Sequence, residues 1–552
     1  MPKLKISLFI ILILVLALVL RFWDLTKADV ITDESLIAFR SIGLIDFLAS
    51  PDQTTPWEWF LDKPIAGWAK LSFHDHPPLV FWLQHFSFLL FGQNLLALRL
   101  PFVLAGIFSV FLIYLIGKKL FDQKVGLLAG FFLSICSYHI WISKIGLQES
   151  LVIFFCLLTF YLFLKSLDTK KYWQWGIALG LALLTKYTAL VILPIILIYL
   201  LIYYRPVFKT KTFWFGPILG GLIFSPVLIY NFKLNQTFGH FDLQFSYLFG
   251  QKVSAWQSLP GKAQIGSLAD RIINLPISLY NNLSLPFFIL IVISLILLIY
   301  FWFKQKNQSD SFLLIAIICH CLLFLIIGFS MRFVVVLIPY LILVLASIVI
   351  RLDILRYKLV ILFLLTFGLF ELFFSYNSLI ASYPFFQKFY SPSLRTESYR
   401  WGYNQLDSYL TGLLKDQVPE VSLQTRYKFL EEIKNQSLAK AKEKNLKPKA
   451  LLLVYDSNMY DLATLWLWHR RLVYQGWPII TADTYLQQEK TAWQKQGITD
   501  FYFIKILDQN ILQQPIGKKT EAGTSLEAQL NDLPPKVISR PDGKPVFAVY
   551  RW

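Results

Sequence analysis

Long apolar stretches recur along this 552-residue chain and constrain its fold more than any other feature. A helix rises about 1.5 Å per residue, so about 20 apolar residues cross the hydrocarbon core of a bilayer. We therefore predict an all-α polytopic membrane domain of about eleven helices, several of them short. The predicted spans cover residues 4–22, 99–117, 125–140, 149–165, 173–185, 187–204, 212–230, 285–303, 311–329, 332–350 and 358–376.

The composition agrees with a membrane protein. Hydrophobic residues make up 56% of the chain, aromatic residues 17% and charged residues only 16%, which excludes a soluble globular protein. The net charge of +18 does not indicate nucleic-acid binding, because the basic residues cluster in short loops between apolar runs. All four cysteines lie inside apolar segments, where packing is favoured over disulfides.

The distribution of basic residues predicts the orientation. Residues 78–91 are apolar but short and begin with Pro-Pro, so we expect a juxtamembrane helix in the interface that buries Trp82 and its Phe residues. A short true span is the alternative and would reverse every later helix. With the interfacial helix, lysine and arginine collect in the loops of one side. The positive-inside rule then places the N-terminus in the cytoplasm and the C-terminus outside, with residues 4–22 as a retained signal anchor.

This orientation predicts two domains in the cytoplasmic membrane. Residues 1–376 form the membrane domain, with outer loops at about 23–98 and 231–284. Residues 377–552 are more charged, with a lysine-rich helical stretch at 425–446. Short β-like runs alternate with helical segments there, which predicts an extracytoplasmic α/β domain. The runs are Ala450–Tyr455, Asp500–Lys505 and Val546–Trp552.

Ionisable residues at the helix ends gather on the outer side. Charges near a membrane are costly unless they are paired or hydrated, so a polar cavity is expected there. Carboxylates suit general-base catalysis, whereas arginine and lysine suit phosphate binding. The residues are Asp33, Glu34, His74, Asp75, His76, Arg99, Glu149, Lys186 and Arg332.

Each residue also has a simpler explanation. Lys186 and Arg99 could anchor helices at the interface by snorkelling. Glu149 could pair with Lys144 or Lys186. The two histidines beside Asp75 are compatible with an ordinary polar loop as well as with a metal site.

Several short motifs, in order, resemble one family. They are Asp33-Glu34, the run Asp75-His76-Pro77-Pro78, Leu98-Arg99-Leu100-Pro101, Gln148-Glu149-Ser150, Leu184-Thr185-Lys186-Tyr187 and Met331-Arg332-Phe333. Over residues 1 to about 350 the chain is similar to GT-C glycosyltransferases that use polyprenyl-phosphate sugars. These include the protein O-mannosyltransferases and the aminoarabinose transferases of lipid A.

The resemblance implies roles for these residues. Asp33 would be the general base, with Glu34 beside it, and Glu149 and His74 would shape the acceptor site. The residue before Pro77-Pro78 is commonly lysine in the family but is His76 here. Either His76 is protonated, or cations elsewhere bind the donor phosphate. Those cations are Arg99, Lys186 and Arg332.

The resemblance also implies the partners. The donor would be a sugar, such as mannose or aminoarabinose, on a polyprenyl phosphate, and the acceptor a protein or glycolipid at the outer face of the membrane. No cofactor is required, although Asp75 and His240 are candidate ligands for zinc. A lipid or sugar transporter or flippase is the alternative function. Against it, the chain shows no repeated halves.

Overall fold

A computed structural model describes residues 3–48, 54–61, 63–253, 266–352, 358–381, 383–386, 389–396, 398–444, 446–459, 461–507 and 520–552. The chain forms two compact units. The first is built mainly from Met1–Leu25 and Gly67–Glu397, and the second from Thr26–Ser50, Thr54–Ala66 and Ser398–Trp552. The second unit therefore begins later in the tail than residue 377 and also takes in part of the first predicted outer loop.

The first unit is helical. Seven helices in the described part of the chain are long and apolar enough to span a membrane, and shorter apolar helices occupy the other predicted spans. The principal helices are Lys3–Phe22, Leu79–Phe91, Leu95–Leu120, Gln123–Ile135, Ser137–Ser143, Glu149–Thr169, Trp173–Thr185, Ile192–Tyr203, Phe215–Phe238, Leu243–Leu248, Leu268–Asn282, Leu285–Gln305, Gln308–Ile327, Met331–Val334, Ile338–Arg351 and Lys358–Leu379. Each of the eleven predicted stretches is therefore helical, and the predicted all-α polytopic fold is confirmed.

One predicted span is wrong in detail. Residues 125–140 do not form a single helix, because the chain breaks at Cys136 and bends by 65°. The break frees backbone carbonyls that need donors. The guanidinium of Arg21 donates to the carbonyls of Leu133 and Ser134 at 3.2 Å. The hydroxyl of Ser375 donates to the carbonyl of Ile135 at 3.1 Å. These bonds stabilise the bend inside the unit.

Small residues bring two helices into close contact. A Cβ added at Gly176 would lie 2.2 Å from the carbonyl oxygen of Gly216, and one at Gly180 would lie 2.6 Å from Ile223. Glycines spaced four residues apart on both helices, completed by Gly220, allow this approach. The contact fixes helix Trp173–Thr185, which ends immediately before Lys186.

The second unit contains a five-stranded mixed sheet. Its strands are β3 (Leu451–Tyr455), β4 (Ile479–Thr481), β5 (Asp500–Ile506), β6 (Lys536–Ser539) and β7 (Pro545–Arg551), and β1 (Gln417–Pro419) pairs separately with β2 (Lys447–Lys449). The order in the sheet is β4-β3-β5-β7-β6. Strand β3 pairs in parallel with β4 and β5, whereas β7 pairs antiparallel with β5 and β6. The predicted α/β fold of the C-terminal region is confirmed.

Both faces of this sheet are buried. Leu451 and Leu453 belong to one hydrophobic cluster, while Leu452 and Val454 belong to another. Alternate residues of a strand point to opposite faces, so the sheet has helical layers on both sides. The longest helices in the described part of the unit are Asp33–Gly43, Tyr403–Leu413, Lys428–Lys442 and Glu521–Gln529.

Helix Asp33–Gly43 packs into the second unit. Leu36 and Phe39 belong to a buried cluster that includes Phe429 and Tyr474. The Tyr474 hydroxyl donates to the Phe39 carbonyl at 2.8 Å. A Cβ at Gly43 would lie 2.7 Å from the Tyr474 ring, so a glycine is needed for this contact. The helix that carries Asp33 and Glu34 is therefore held by residues far along the chain.

Candidate functional site

A buried ion pair forms the centre of the candidate site in the first unit. The Lys186 ammonium lies 2.6 Å from Glu149 Oε1, and the two side chains are 13% and 4% exposed. Lys186 also lies 4.6 Å from the centre of the Phe333 ring, a cation–π distance. Of the two partners considered for Glu149, the structure places Lys186 beside it.

The local fold explains why these residues meet. Glu149 is the first residue of helix Glu149–Thr169, where a negative charge interacts favourably with the helix dipole. Lys186 has an extended backbone (φ −162°, ψ 140°) directly after helix Trp173–Thr185. The two helices pack against each other, so the start of one and the end of the other lie together.

A cavity adjoins the ion pair. Glu149, Lys186, Phe324 and Phe333 contribute to its wall, together with His320, which sequence reasoning did not select. The cavity is small, with room for about one water molecule. His320 is buried in the apolar helix Gln308–Ile327. A polar side chain inside a membrane-spanning helix is energetically costly, so the sequence alone could have marked His320 as a candidate residue.

Arg99 and Lys144 bind the chain just beyond the first helix. Arg99 is fully buried, and its guanidinium donates to the Leu25 carbonyl at 2.5 Å. The Lys144 ammonium donates to the Trp23 carbonyl, also at 2.5 Å. Cations near the carboxyl end of a helix interact favourably with its dipole. Both residues thus hold the end of the first span.

Arg332 lies half-buried in a short helical turn, Met331–Val334. The hydroxyl of Tyr138 donates to the carbonyl of the preceding Met331. The next residue is Phe333, whose ring faces Lys186. The backbone at Arg332 is therefore fixed beside the residues that contact the Lys186–Glu149 pair.

Asp75 lies between two imidazoles. Its Oδ1 is 3.1 Å from His76 Nδ1 and 3.7 Å from His74 Nδ1. Ligand atoms about 2.0–2.2 Å from a tetrahedral zinc ion are separated by about 3.4 Å, so these residue types and distances fit a metal shell. His74 is fully buried and His76 is 27% exposed.

Asp242 is a buried residue that the sequence analysis missed. It accepts hydrogen bonds from the Tyr187 hydroxyl at 2.6 Å and the Asn231 amide at 2.9 Å. Burial raises the pKa of the Asp242 carboxyl to about 6, while these hydrogen bonds lower it. The backbone N–H of Leu243 donates to the His74 carbonyl at 2.8 Å. Asp242 therefore helps to fix the position of the histidine loop.

His240, the second predicted metal ligand, lies two residues before Asp242 and is half-buried. Its Nδ1 is 2.8 Å from the Phe241 carbonyl, so this nitrogen carries the hydrogen. Burial lowers the pKa of the imidazole, which favours the neutral ring that metals bind.

Asp33 and Glu34 open their helix in the second unit. The Thr32 hydroxyl caps this helix by accepting from the Glu34 N–H at 3.5 Å. Asp33 is half-buried, whereas Glu34 is 1% exposed. Ser35 Oγ donates to the Leu462 carbonyl at 2.5 Å. These contacts hold the two carboxylates at a fixed helix start.

Asp29, which the sequence analysis also missed, fixes the segment before Asp33. Its carboxylate accepts from the backbone N–H groups of Trp401, Gly402 and Asn404 at 2.5, 3.0 and 2.9 Å. Burial raises the pKa of Asp29 to about 6, against the opposing effect of these hydrogen bonds. The amide of Asn404 donates to the Ala28 carbonyl at 2.6 Å. The segment that precedes Asp33 is therefore hydrogen-bonded to residues 401–404.

Comparisons with known proteins agree with this architecture. Residues 75–230 match the family described as dolichyl-phosphate-mannose-protein mannosyltransferase. A putative mannosyltransferase of Bacillus subtilis, YkcB, is 31% identical over 25% of this chain and 20% of its own length. An undecaprenyl phosphate-alpha-4-amino-4-deoxy-L-arabinose arabinosyl transferase of Wigglesworthia glossinidia brevipalpis is 27% identical over 26% of this chain and 27% of its own. The chain thus spans less than a third of these relatives.

One solved structure matches the whole chain. ArnT from Cupriavidus metallidurans, bound to undecaprenyl phosphate, superposes with a TM-score of 0.56 over 100% of this chain and 98% of its own, at 12% identity. At this identity the match shows the fold alone. The fold is the GT-C fold, and the resemblance to mannosyl- and aminoarabinosyltransferases is confirmed.

Proposed function

We propose that this protein is a membrane glycosyltransferase that moves a sugar from a polyprenyl phosphate to an acceptor at the outer face of the cytoplasmic membrane. The observation that supports it most is the GT-C fold across the whole chain. The chain shares this fold with ArnT from Cupriavidus metallidurans, whose structure was solved bound to undecaprenyl phosphate. Mannose and aminoarabinose are the candidate sugars because they appear in the names of the relatives. A hydroxyl or phosphate of a protein or glycolipid is the candidate acceptor.

The cations of the first unit would bind the donor phosphate. Phosphate is the leaving group, so it needs charge stabilisation rather than protonation. Lys186 is preorganised for this by Glu149 and Phe333, and Arg332 follows the fixed carbonyl of Met331. Arg99 and His76 complete the proposed set.

Asp33 would act as the general base. The acceptor oxygen attacks the anomeric carbon, its proton passes to the Asp33 carboxylate, and the bond from that carbon to the phosphate oxygen breaks. A single displacement inverts the configuration, and no second carboxylate nucleophile is needed. Glu34 is proposed to support Asp33, and Glu149 and His74 to shape the acceptor site.

A divalent metal at Asp75 is part of the proposal. Asp75 and His240 would hold the ion, and His74 and His76 flank Asp75. When bound, such a cation would stabilise negative charge on the phosphate.

Transfer from radiolabelled polyprenyl-phosphate sugars, with and without Asp33→Asn, tests the proposal. The variant keeps the Thr32 cap, so it should fold, while its transfer rate should fall about 10²–10⁴-fold. Asp416→Asn is the matched control, because Asp416 is an exposed residue of the same unit at φ 56°, where asparagine is tolerated. Full transfer by Asp33→Asn would refute its role, and uptake of labelled lipid without transfer would favour a flippase.

A further inference from the structure

Three exposed phenylalanines follow helix Lys358–Leu379 of the first unit. The helix contains the candidate membrane span Ile361–Leu379. Beyond its end, the side chains of Phe385, Phe386 and Phe389 are 64%, 60% and 44% exposed. We call these three residues the aromatic patch. A group of neighbouring exposed rings marks an interaction surface.

The aromatic patch folds back along the side of this helix. Each of its rings lies beside a ring of the helix, with distances between ring centres of 6.2 Å for Phe385 and Tyr376, 6.3 Å for Phe386 and Phe373, and 6.0 Å for Phe389 and Phe370. The three helix residues are spaced three apart, so they form one ridge on the helix surface. The chain that leaves the helix therefore runs back toward the middle of the span.

The helix rise converts these ring pairs into depths. A helix of 22 residues is about 33 Å long, which is enough to cross a hydrocarbon core of about 30 Å. Phe373 and Phe370 precede the helix end at Leu379 by about 9 and 14 Å. Phe386 and Phe389 lie beside them, so their rings are at a depth where a spanning helix is surrounded by lipid.

The backbone of this segment meets the condition that lipid imposes. Backbone N–H and C=O groups in hydrocarbon need hydrogen-bond partners within the protein. The side chain of the buried Asn377 accepts from the Phe385 N–H at 2.8 Å and donates to the Phe389 carbonyl at 2.9 Å. Ser378 Oγ accepts from the Ser391 N–H at 2.9 Å. Polar side chains of the helix thus take the place of water for the backbone of the aromatic patch.

The aromatic patch also continues the apolar surface of the helix. Leu365 and Leu369 are exposed large apolar side chains of the same helix, as expected for residues that face lipid chains. Leu369 directly precedes Phe370, whose ring lies beside Phe389. One apolar surface therefore extends from the span onto the aromatic patch, and lipid is the partner that fits both.

We propose that the aromatic patch is a membrane-insertion element. Phe386 and Phe389 enter the hydrocarbon of the leaflet in which helix Lys358–Leu379 ends, and Asn377 holds the inserted backbone against the helix. This contact with the bilayer requires neither the donor nor the acceptor of the proposed reaction.

Spin labels on the full chain in nanodiscs of phosphatidylethanolamine and phosphatidylglycerol test the insertion. Phe386→Cys and Phe389→Cys would be labelled in a Cys321→Ala background, because the other three cysteines are buried; the background chain alone measures stray labelling. Collisions with oxygen, which concentrates in hydrocarbon, are compared with collisions with a water-soluble nickel chelate. Leu369→Cys on the span is the lipid reference, and Lys440→Cys, exposed on helix Lys428–Lys442, is the water reference.

We expect the oxygen-to-nickel ratio at positions 386 and 389 to match the lipid reference. A ratio equal to that of the water reference overturns the insertion. Few collisions with either reagent would show that protein covers the aromatic patch, which also overturns it.

A second variant tests the part assigned to Asn377. Asn377→Leu leaves the backbone at Phe385 and Phe389 without these partners, so the ratio at position 389 should shift toward the water reference. Thr366→Val is the matched control, since the Thr366 hydroxyl bonds only to carbonyls of its own helix, and it should leave the ratio unchanged. An unchanged ratio in Asn377→Leu would overturn the role of Asn377.

Discussion

Substitution of Gly176 tests whether close helix packing positions the candidate site. In Gly176→Ala the new Cβ would lie 2.2 Å from the Gly216 carbonyl oxygen and 2.7 Å from its Cα. An unstrained C···O contact is about 3.3 Å. The two helices would therefore have to separate by about 1 Å. Backbone atoms cannot rotate away as a flexible side chain can, so the strain must be taken up by the packing.

The expected cost follows from a comparison within the partner helix. Gly221→Ala places its Cβ where nothing lies within 4 Å. In both variants the higher helix propensity of alanine should stabilise the folded state by about 1 kcal/mol. Only Gly176→Ala is also destabilised by overpacking, by about 1–3 kcal/mol. We expect Gly176→Ala to be about 1–3 kcal/mol less stable than Gly221→Ala.

Thermal and denaturant unfolding in detergent measures this difference. Because helix Trp173–Thr185 ends next to Lys186, Gly176→Ala should also lower the affinity for undecaprenyl phosphate, whereas Gly221→Ala should not. Equal stability of the two variants would refute the packing contact. A stability loss without any change in affinity would show that the contact does not position Lys186.

Three further predictions concern the donor, pH and metal. Arg332→Ala should weaken binding of undecaprenyl phosphate about tenfold or more as a charged hydrogen bond is lost; unchanged affinity by calorimetry would contradict its assigned role. The pKa of Asp29 is raised to about 6 from an ordinary 3.8, so its contribution to stability is full below pH 4 and is lost as the pH rises through 6. This amounts to about 3 kcal/mol, and Asp29→Asn should remove that component from urea unfolding measured against pH. Purified protein should contain stoichiometric metal by elemental analysis, reduced in His240→Ala; wild-type protein without metal would end the metal proposal.

Local patterns predicted local structure well. Apolar runs identified the helices, and short β-like runs identified three strands, which the structure places at Leu451–Tyr455, Asp500–Ile506 and Pro545–Arg551. These elements are defined by neighbours in sequence, so their periodicity reveals them. The paired glycines at 176, 180, 216 and 220 form a similar local signal, which the sequence analysis did not use.

Other features depended on partners far along the chain. Nothing near Asp33 indicates that its helix packs with Phe429 and Tyr474. The strand order of the sheet is likewise set by tertiary packing, so the short β-like runs in the sequence did not predict it. The break at Cys136 lies where Ser134, Ser137 and His139 interrupt an apolar stretch, which hints at a bend, but the hydrogen bonds from Arg21 required the structure.

The hydrogen bond that the Trp401 N–H donates to the Asp29 carboxylate joins residues 372 positions apart, and this separation affects the time course of folding during biosynthesis. Ribosomes add about 5–20 residues per second, so the later partner follows the earlier one by roughly 20–75 s. During that interval residues 26–48 lack the partners that bury Leu36 and Phe39. The proposed general base thus reaches its folded setting only after most of the chain has been made. Premature termination before residue 401 would leave this segment exposed to proteases and chaperones.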